Sequence, residues 1–216
     1  MKLFSEFLTE QSGAKLKHLE HPEDNAFTSH AGFTHAFHAL HDIHNALKGK
    51  KSTSHITTKL DGSPSIVFGH HPETGKFFVS SKSAFNKNPK INHTHEDIER
   101  NHGHSPGLAQ KLHQALDHLP KVTPKKGVYQ GDFMHSREDR QHTDTHIKFK
   151  PNTITYSIRR DSPEGHKAEH SKIGVAVHTK YEGDSFEGMH ATPHVDHENF
   201  KQHKDVHLIS PEAKLK

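Results

Sequence analysis

Large apolar side chains are scarce in this chain, and that scarcity limits the core it can build. Leu, Ile, Val and Phe number 13, 10, 8 and 13, or 44 of 216 residues. This lies just above the level of roughly 20 per cent below which disorder becomes the default. The net charge is only +3, so self-repulsion does not oppose collapse. The composition predicts a small-cored globular domain with long polar loops. No apolar run approaches the roughly 18 residues of a membrane span. The absence of cysteine excludes disulfide frameworks and thiolate metal sites. The N-terminus lacks the apolar core of a secretory signal. A soluble protein with no membrane partner is expected.

The spacing of the apolar residues predicts the elements. Leu3, Phe4, Phe7 and Leu8 make a short helical stripe, and residues 11–25 read as a polar linker, which sets a first segment of 1–25 apart from a domain over 26–216. Phe33, Phe37, Leu40, Ile43 and Leu47 recur at three- and four-residue steps, predicting a long helix that packs on the core. Leu108, Leu112, Leu116 and Leu119 mark a second core helix ending before Pro120. Between and after these helices the pattern shortens to strands: His55–Leu60, Ser65–Gly69, Lys76–Ser81, Gly127–Phe133, His146–Lys150, Thr153–Ile158 and Gly174–Thr179. A short helical turn is expected between Asn86 and His104, and the last 35 residues are weakly patterned. Helices outside short, mostly antiparallel strands make an α+β domain.

Histidine is abundant, at 27 residues, and full protonation would raise the net charge from +3 to +30. An unperturbed histidine titrates near pH 6.5, so charging would follow mild acidification. Three readings stand side by side: pH-dependent affinity for polynucleotides, metal binding, or an ordinary surface residue used in place of Lys, Glu or Gln. His93, His95, His102 and His104 flank Glu96, Asp97 and Glu99, a mixture suited to zinc or nickel. Lys121, Lys125, Lys126, Arg159 and Arg160 are either phosphate contacts or a solvated basic surface. With no tryptophan, a stacking platform for single strands is not indicated.

The run Lys59-Leu60-Asp61-Gly62-Ser63 carries the most chemistry. A strand-end lysine can attack a phosphorus centre once its amine is neutral, a state that burial or neighbouring cations favour. An adjacent acid opposes that state, so Asp61 suits a metal or a ribose hydroxyl better than the lysine itself. The plain alternative is a hairpin whose turn is made by Asp-Gly and whose lysine is solvated.

This run resembles the first motif, K-x-D-G, of the covalent nucleotidyltransferases: ATP-dependent DNA ligases, RNA ligases and capping enzymes. The added Ser63 resembles RNA ligases more, and Pro64 stands where DNA ligases usually carry arginine. Ser80-Ser81-Lys82-Ser83 and Val128-Tyr129-Gln130-Gly131-Asp132-Phe133 look like the next two motifs, with Asp132 replacing the usual glutamate. Phe149 to Tyr156 is similar to the base-stacking strand. The span from Glu20 to Tyr181, about 160 residues, also resembles ligase-like proteins of tailed bacteriophages.

The resemblance implies a ligase-type nucleotidyltransferase (adenylation) domain that uses ATP and Mg2+. Lys59 would be the catalytic nucleophile. Asp61, Gly62, Ser63, Lys82, Asp132 and Phe149 would bind nucleotide, and Asp132 would also hold the metal. The partner would be nucleic acid with 5'-phosphate and 3'-hydroxyl ends, RNA more than DNA. The alternative is a non-catalytic nucleic-acid-binding or internal virion protein that keeps the fold. Glu182-Gly183 and Glu187-Gly188 lack the lysine of the family's later motif, and Lys214-Leu215-Lys216 imitates its lysine pair, which leaves three alternatives: a domain truncated at its C-terminus, a missing part on another polypeptide, or a protein that has lost full ligation. Residues 1–10 look like a capsid-targeting leader whose cleavage triplet would be Leu8-Thr9-Glu10. These resemblances imply residence in the host cytoplasm or in the capsid interior.

Overall fold

The computed structural model describes residues 24, 26–50 and 57–211. The leader-like stretch 1–10, most of the 11–25 linker, His55 and Ile56, and Lys214 to Lys216 lie outside the described residues. The described residues fall into two units: those up to Lys59 together with Pro211, and Leu60–Ser210.

In the first unit, helix α1 spans His30–Leu47. Ser29 caps it, its hydroxyl accepting from Gly32 N at 3.0 Å, which satisfies one of the four N–H groups that a helix start leaves unpaired. The expected stripe is formed but not buried. Phe33, Phe37, Leu40, Ile43 and Leu47 are all exposed, and Ala36 is the buried position of the helix. The expectation of core packing is therefore corrected: periodicity builds the stripe, but a partner must cover it. The strand expected over His55–Leu60 is also corrected, since Thr58 to Leu60 are not extended into a sheet. Thr58 N instead donates to Pro211 O at 2.6 Å.

The second unit is built on strands β1 (Ser65–His70), β2 (Phe77–Ser80), β3 (Val128–Ser136), β7 (Ile173–Glu182), β8 (His190–Thr192) and β9 (Val206–Ile209). Their order is β2-β1-β3-β7-β8, with β9 also paired to β7. A three-stranded sheet joins β4 (Gln141–His142), β5 (His146–Phe149) and β6 (Tyr156–Arg159). Pairing is antiparallel apart from β7 with β9, which is parallel. The larger sheet is thus mixed. After β8 the chain returns past Val195 and Phe200, which pack in the core, and re-enters beside the first half of β7.

Strand alternation gives the larger sheet two different faces. Ile66, Phe68, Tyr129, Phe133, Ile173, Val175 and Val177 point to one face. Helices α2 (His95–His102) and α3 (Pro106–His118) cover it with Ile98, Ala109, Leu112 and Ala115. α2 starts with a capping box between Thr94 and Asp97, and α3 starts at Pro106, whose missing N–H costs nothing at a first helical position. Helix α4 (Pro163–His170) uses the same device after Ser162. The opposite face holds two smaller apolar clusters. One gathers Val67, Phe78, Phe85, Val128, Tyr181 and Met189. The other gathers Met134, Phe149 and Ala176, with Leu60 and Tyr156 against it. Helices flanking mixed and antiparallel sheets make this an α+β fold.

Candidate functional site

Polar residues of the β1, β3 and β7 strands occupy the face opposite α2 and α3, which also carries these two apolar clusters. On β3, Gln130 and Asp132 alternate with the core residues Tyr129 and Phe133. Gln130 Nε2 donates to Ser65 Oγ at 3.0 Å, and Tyr181 Oη donates to Gln130 Oε1 at 2.5 Å. Burial pushes the Tyr181 phenol up to about 12, so it stays a donor at any ordinary pH. Asp132 pairs across the ladder with Ser65 and Ala176. Its carboxylate faces His178 Nε2 at 3.6 Å, an ion-pair distance rather than a hydrogen bond. The His178 ring is held in turn by Thr179 Oγ1 at 2.8 Å from Nδ1.

The segment after Lys59 folds over this polar strip. Ser63 N donates to Phe133 O at 3.0 Å, and Phe133 N donates to Pro64 O at 2.9 Å, extending the ladder beyond β1. Gly62 lies so close to β3 that a Cβ there would sit 2.4 Å from Asp132 Cβ and 2.7 Å from Met134 Sδ. Glycine is required here by contact rather than by backbone angle. Gly62→Ala is expected to cost about 1–3 kcal/mol through overpacking against the strand. Denaturant melts would measure it, and an unchanged midpoint would mean that the loop does not rest on β3.

Asp61 ties the same segment to the loop between β5 and β6. Its Oδ1 accepts from Asn152 Nδ2 at 2.8 Å, and its Oδ2 accepts from Thr153 Oγ1 at 2.6 Å and Thr153 N at 3.1 Å. These bonds, Thr153 first and Asn152 next, hold the Asp61 carboxyl below the usual carboxylate range. Asp61 N donates to Tyr156 Oη at 2.7 Å. Asp61, Gly62, Ser63 and Asp132 are therefore brought together, along with the Asn152–Thr153 loop.

Other predicted residues sit differently. Phe149 is 3% exposed, with its ring 5.6 Å from Tyr156 and 4.6 Å from His135. Here it packs in the core between two other rings. Lys82 is exposed at the first residue of a turn, two positions past Ser80 at the end of β2. Lys59 is exposed and is the last residue of the first unit before Leu60. Of the basic residues, Lys121 pairs with Asp205 at 2.7 Å, Arg159 with Asp161 at 2.5 Å, and Arg160 with Glu169, which favours the solvated-surface reading for these three. Among the expected histidine quartet, His93 Nδ1 bonds to Phe77 O at 2.8 Å and His102 is buried, so the four do not share a metal.

Sequence reasoning missed Ser65, Gln130, His178, Thr179 and Tyr181. The alternation of Gln130 with Asp132 was a usable signal for the first of the β3 pair. His178 was not legible, because the β3–β7 register shifts between Gln130 and Gly131, a bulge no local pattern announces.

A family model described only as a family of unknown function, DUF6267, matches residues 16–215. The chain belongs to that family. No curated protein and no solved structure matches it. The DUF6267 match contains every site residue described above. Among the described residues, no helix is long and apolar enough to cross a membrane.

Proposed function

We propose that this chain is an ATP-dependent, ligase-type adenylyltransferase acting on polynucleotide ends, RNA in preference to DNA. The observation that supports it most is the contact of Gly62 with Asp132. Asp61 to Ser63 and Val128 to Phe133, parts of two segments that carry the ligase resemblance, meet there although about 70 residues of chain separate them. Asn152 and Thr153, from the third resembling segment, join them through Asp61.

In this reading the Lys59 amine attacks the α-phosphorus of ATP. A P–N bond forms, the bond to pyrophosphate breaks, and the amine proton passes to solvent. The resulting lysyl adenylate then transfers AMP to a 5'-phosphate end. Asp132 suits Mg2+: it is a partly exposed carboxylate at ion-pair distance from one imidazole, and hard cations take such oxygen ligands together with water. When bound, Mg2+ would offset phosphate charge. His178 stands beside the Asp132 carboxylate. Asp61 anchors the loop that follows Lys59, and Lys82 supplies a cation at the end of β2. Phe149 acts by packing.

The test is covalent labelling. The chain, given Mg2+ and ATP labelled at the α-phosphate, is expected to gain an adduct stable to alkali and broken by acid, as a phosphoramidate is. Lys59→Ala and Lys59→Arg should abolish the label, the second because guanidinium stays protonated. Asp132→Asn should weaken it without unfolding the domain. Label persisting in Lys59→Ala would overturn the assignment. An unlabelled chain that still binds polynucleotide would favour the non-catalytic reading, toward which the absence of the later lysine motif after Glu182-Gly183 points.

A further inference from the structure

The outer surface of α2 and α3 carries a chain of four ionisable groups that the proposed function does not use. His95 and Glu99 stand on α2, His113 and Asp117 on α3. His95 Nε2 lies 3.1 Å from Asp117 Oδ1, and His113 Nε2 lies 2.7 Å from Glu99 Oε1. The two rings meet edge to edge, with centroids 4.9 Å apart, and their Nδ1 atoms face each other at 2.7 Å.

Hydrogen-bond chemistry constrains this arrangement. An ionised carboxylate only accepts, so both Nε2 atoms must carry protons. Each ring, if neutral, then presents a bare lone pair at Nδ1. Two lone pairs do not rest 2.7 Å apart without a positive centre between them. That centre is either one additional proton or a metal cation. A ring held through Nε2–H by a carboxylate, with Nδ1 aimed at a shared point, is the usual arrangement of a metal-ligating histidine, because the carboxylate fixes both tautomer and ring angle.

We propose that His95 and His113 bind a divalent late transition-metal ion, zinc as the reference case, through their two Nδ1 atoms. Asp117 and Glu99 are the positioning residues, and water completes the coordination. At zinc–nitrogen distances of about 2.0–2.1 Å in a tetrahedral site, the two nitrogens would stand roughly 3.3 Å apart. The two nitrogens need separate by only about 0.6 Å. The metal takes both Nδ1 lone pairs, so it replaces any proton held between them, and that proton leaves to solvent. The charges balance: two carboxylates face one divalent cation. Since the ligands come from two helices, the ion would staple α2 to α3.

The experiment is a titration of the full chain with zinc alone in a non-chelating buffer near pH 7.5. Stoichiometry comes from calorimetry and site assignment from imidazole nitrogen NMR. Other histidines will compete, including His166 and His170 with Glu169 on α4, whose ligand atoms lie within 4.8 Å of one another. The expected result is that His95→Ala and His113→Ala each lose one equivalent, while His166→Ala retains it. Glu99→Gln and Asp117→Asn should keep the equivalent but weaken it about 10–100-fold. Zinc should shift the Nδ1 resonances of His95 and His113 and raise Tm, and His95→Ala should abolish the part of the Tm rise due to this site. His95 is exposed, so His95→Ala should fold even if His113→Ala does not. Unchanged stoichiometry and affinity in folded His95→Ala, or zinc shifts confined to His166 and His170, would overturn the proposal.

Discussion

Acidification from about pH 6.5 to 4.5 is expected to remove about 2–3 kcal/mol of stability through His135 alone, since each pKa unit is worth about 1.4 kcal/mol. His135 is fully buried on β3, and desolvation, then the neighbouring His207, pushes its pKa down to about 2. The folded chain keeps the ring neutral while the unfolded chain protonates it near pH 6.5. The unfolded state therefore binds more protons below pH 6.5, and stability falls with pH. The surroundings enforce the neutral form. His135 Nε2 lies 3.2 Å from His207 Nδ1, and His207 Nε2 lies 2.9 Å from Glu164 Oε2. The Glu164 carboxylate accepts from His207 Nε2–H, and in a neutral His207 the bare Nδ1 then accepts from His135 Nε2–H. His135 Nδ1 is left with a buried lone pair and no partner. A Cβ on Gly174 would lie 2.2 Å from His135 Nε2, so the ring occupies the space that glycine leaves.

Burial also lowers the pKa of His70, His71, His102 and His118, and each adds a contribution of the same sign. Glu164 acts lower on the scale. The His207 bond drops its pKa to about 2, so its contribution is present above the ordinary carboxylate range and is lost as pH falls from about 4.5 toward 2. Urea melts at a series of pH values would read the slope directly. A midpoint constant from pH 7 to 5 would contradict a neutral buried His135. The same physics limits the +30 charge that composition alone allows: histidines that stay neutral in the fold add no cations for a polynucleotide.

Leu112→Ala is expected to cost about 2–5 kcal/mol, and Leu40→Ala no more than about 0.5 kcal/mol. Both leucines lie on helical stripes of similar regularity. Leu112 is fully buried between α3 and the β1–β3–β7 face, in contact with a core that includes Ile98, Phe133 and Val175. Removing its isobutyl group leaves a cavity that surrounding strands cannot collapse to fill. Leu40 is 67% exposed on α1, so truncation there removes little buried surface. Paired denaturant melts would separate the two. A cost above about 1 kcal/mol for Leu40→Ala would mean that the α1 stripe is covered in solution, since surface substitutions usually stay within about 0.5 kcal/mol.

Residues close in sequence fixed much of the second unit. Period-two alternation in Ser65 to Gly69 and Val128 to Phe133 set which side chains meet the helices, and the structure extends the latter strand to Ser136. The leucine steps of α3 and the Thr94 capping box are likewise local features. The contact of Asp61 to Ser63 with Asp132 was legible only as shared resemblance, because nothing within either segment specifies the other. Tertiary structure alone decided the rest. β9 runs parallel to β7 because the chain crosses back over the core before pairing, and weakly patterned residues carry no sign of such a return. His178 meets Asp132 through a bulge, and His95 meets His113 across two helices. α1 shows the limit from the other side: a sequence can build an apolar stripe by spacing, but burial needs a second surface, which distant parts of a chain or another molecule must supply.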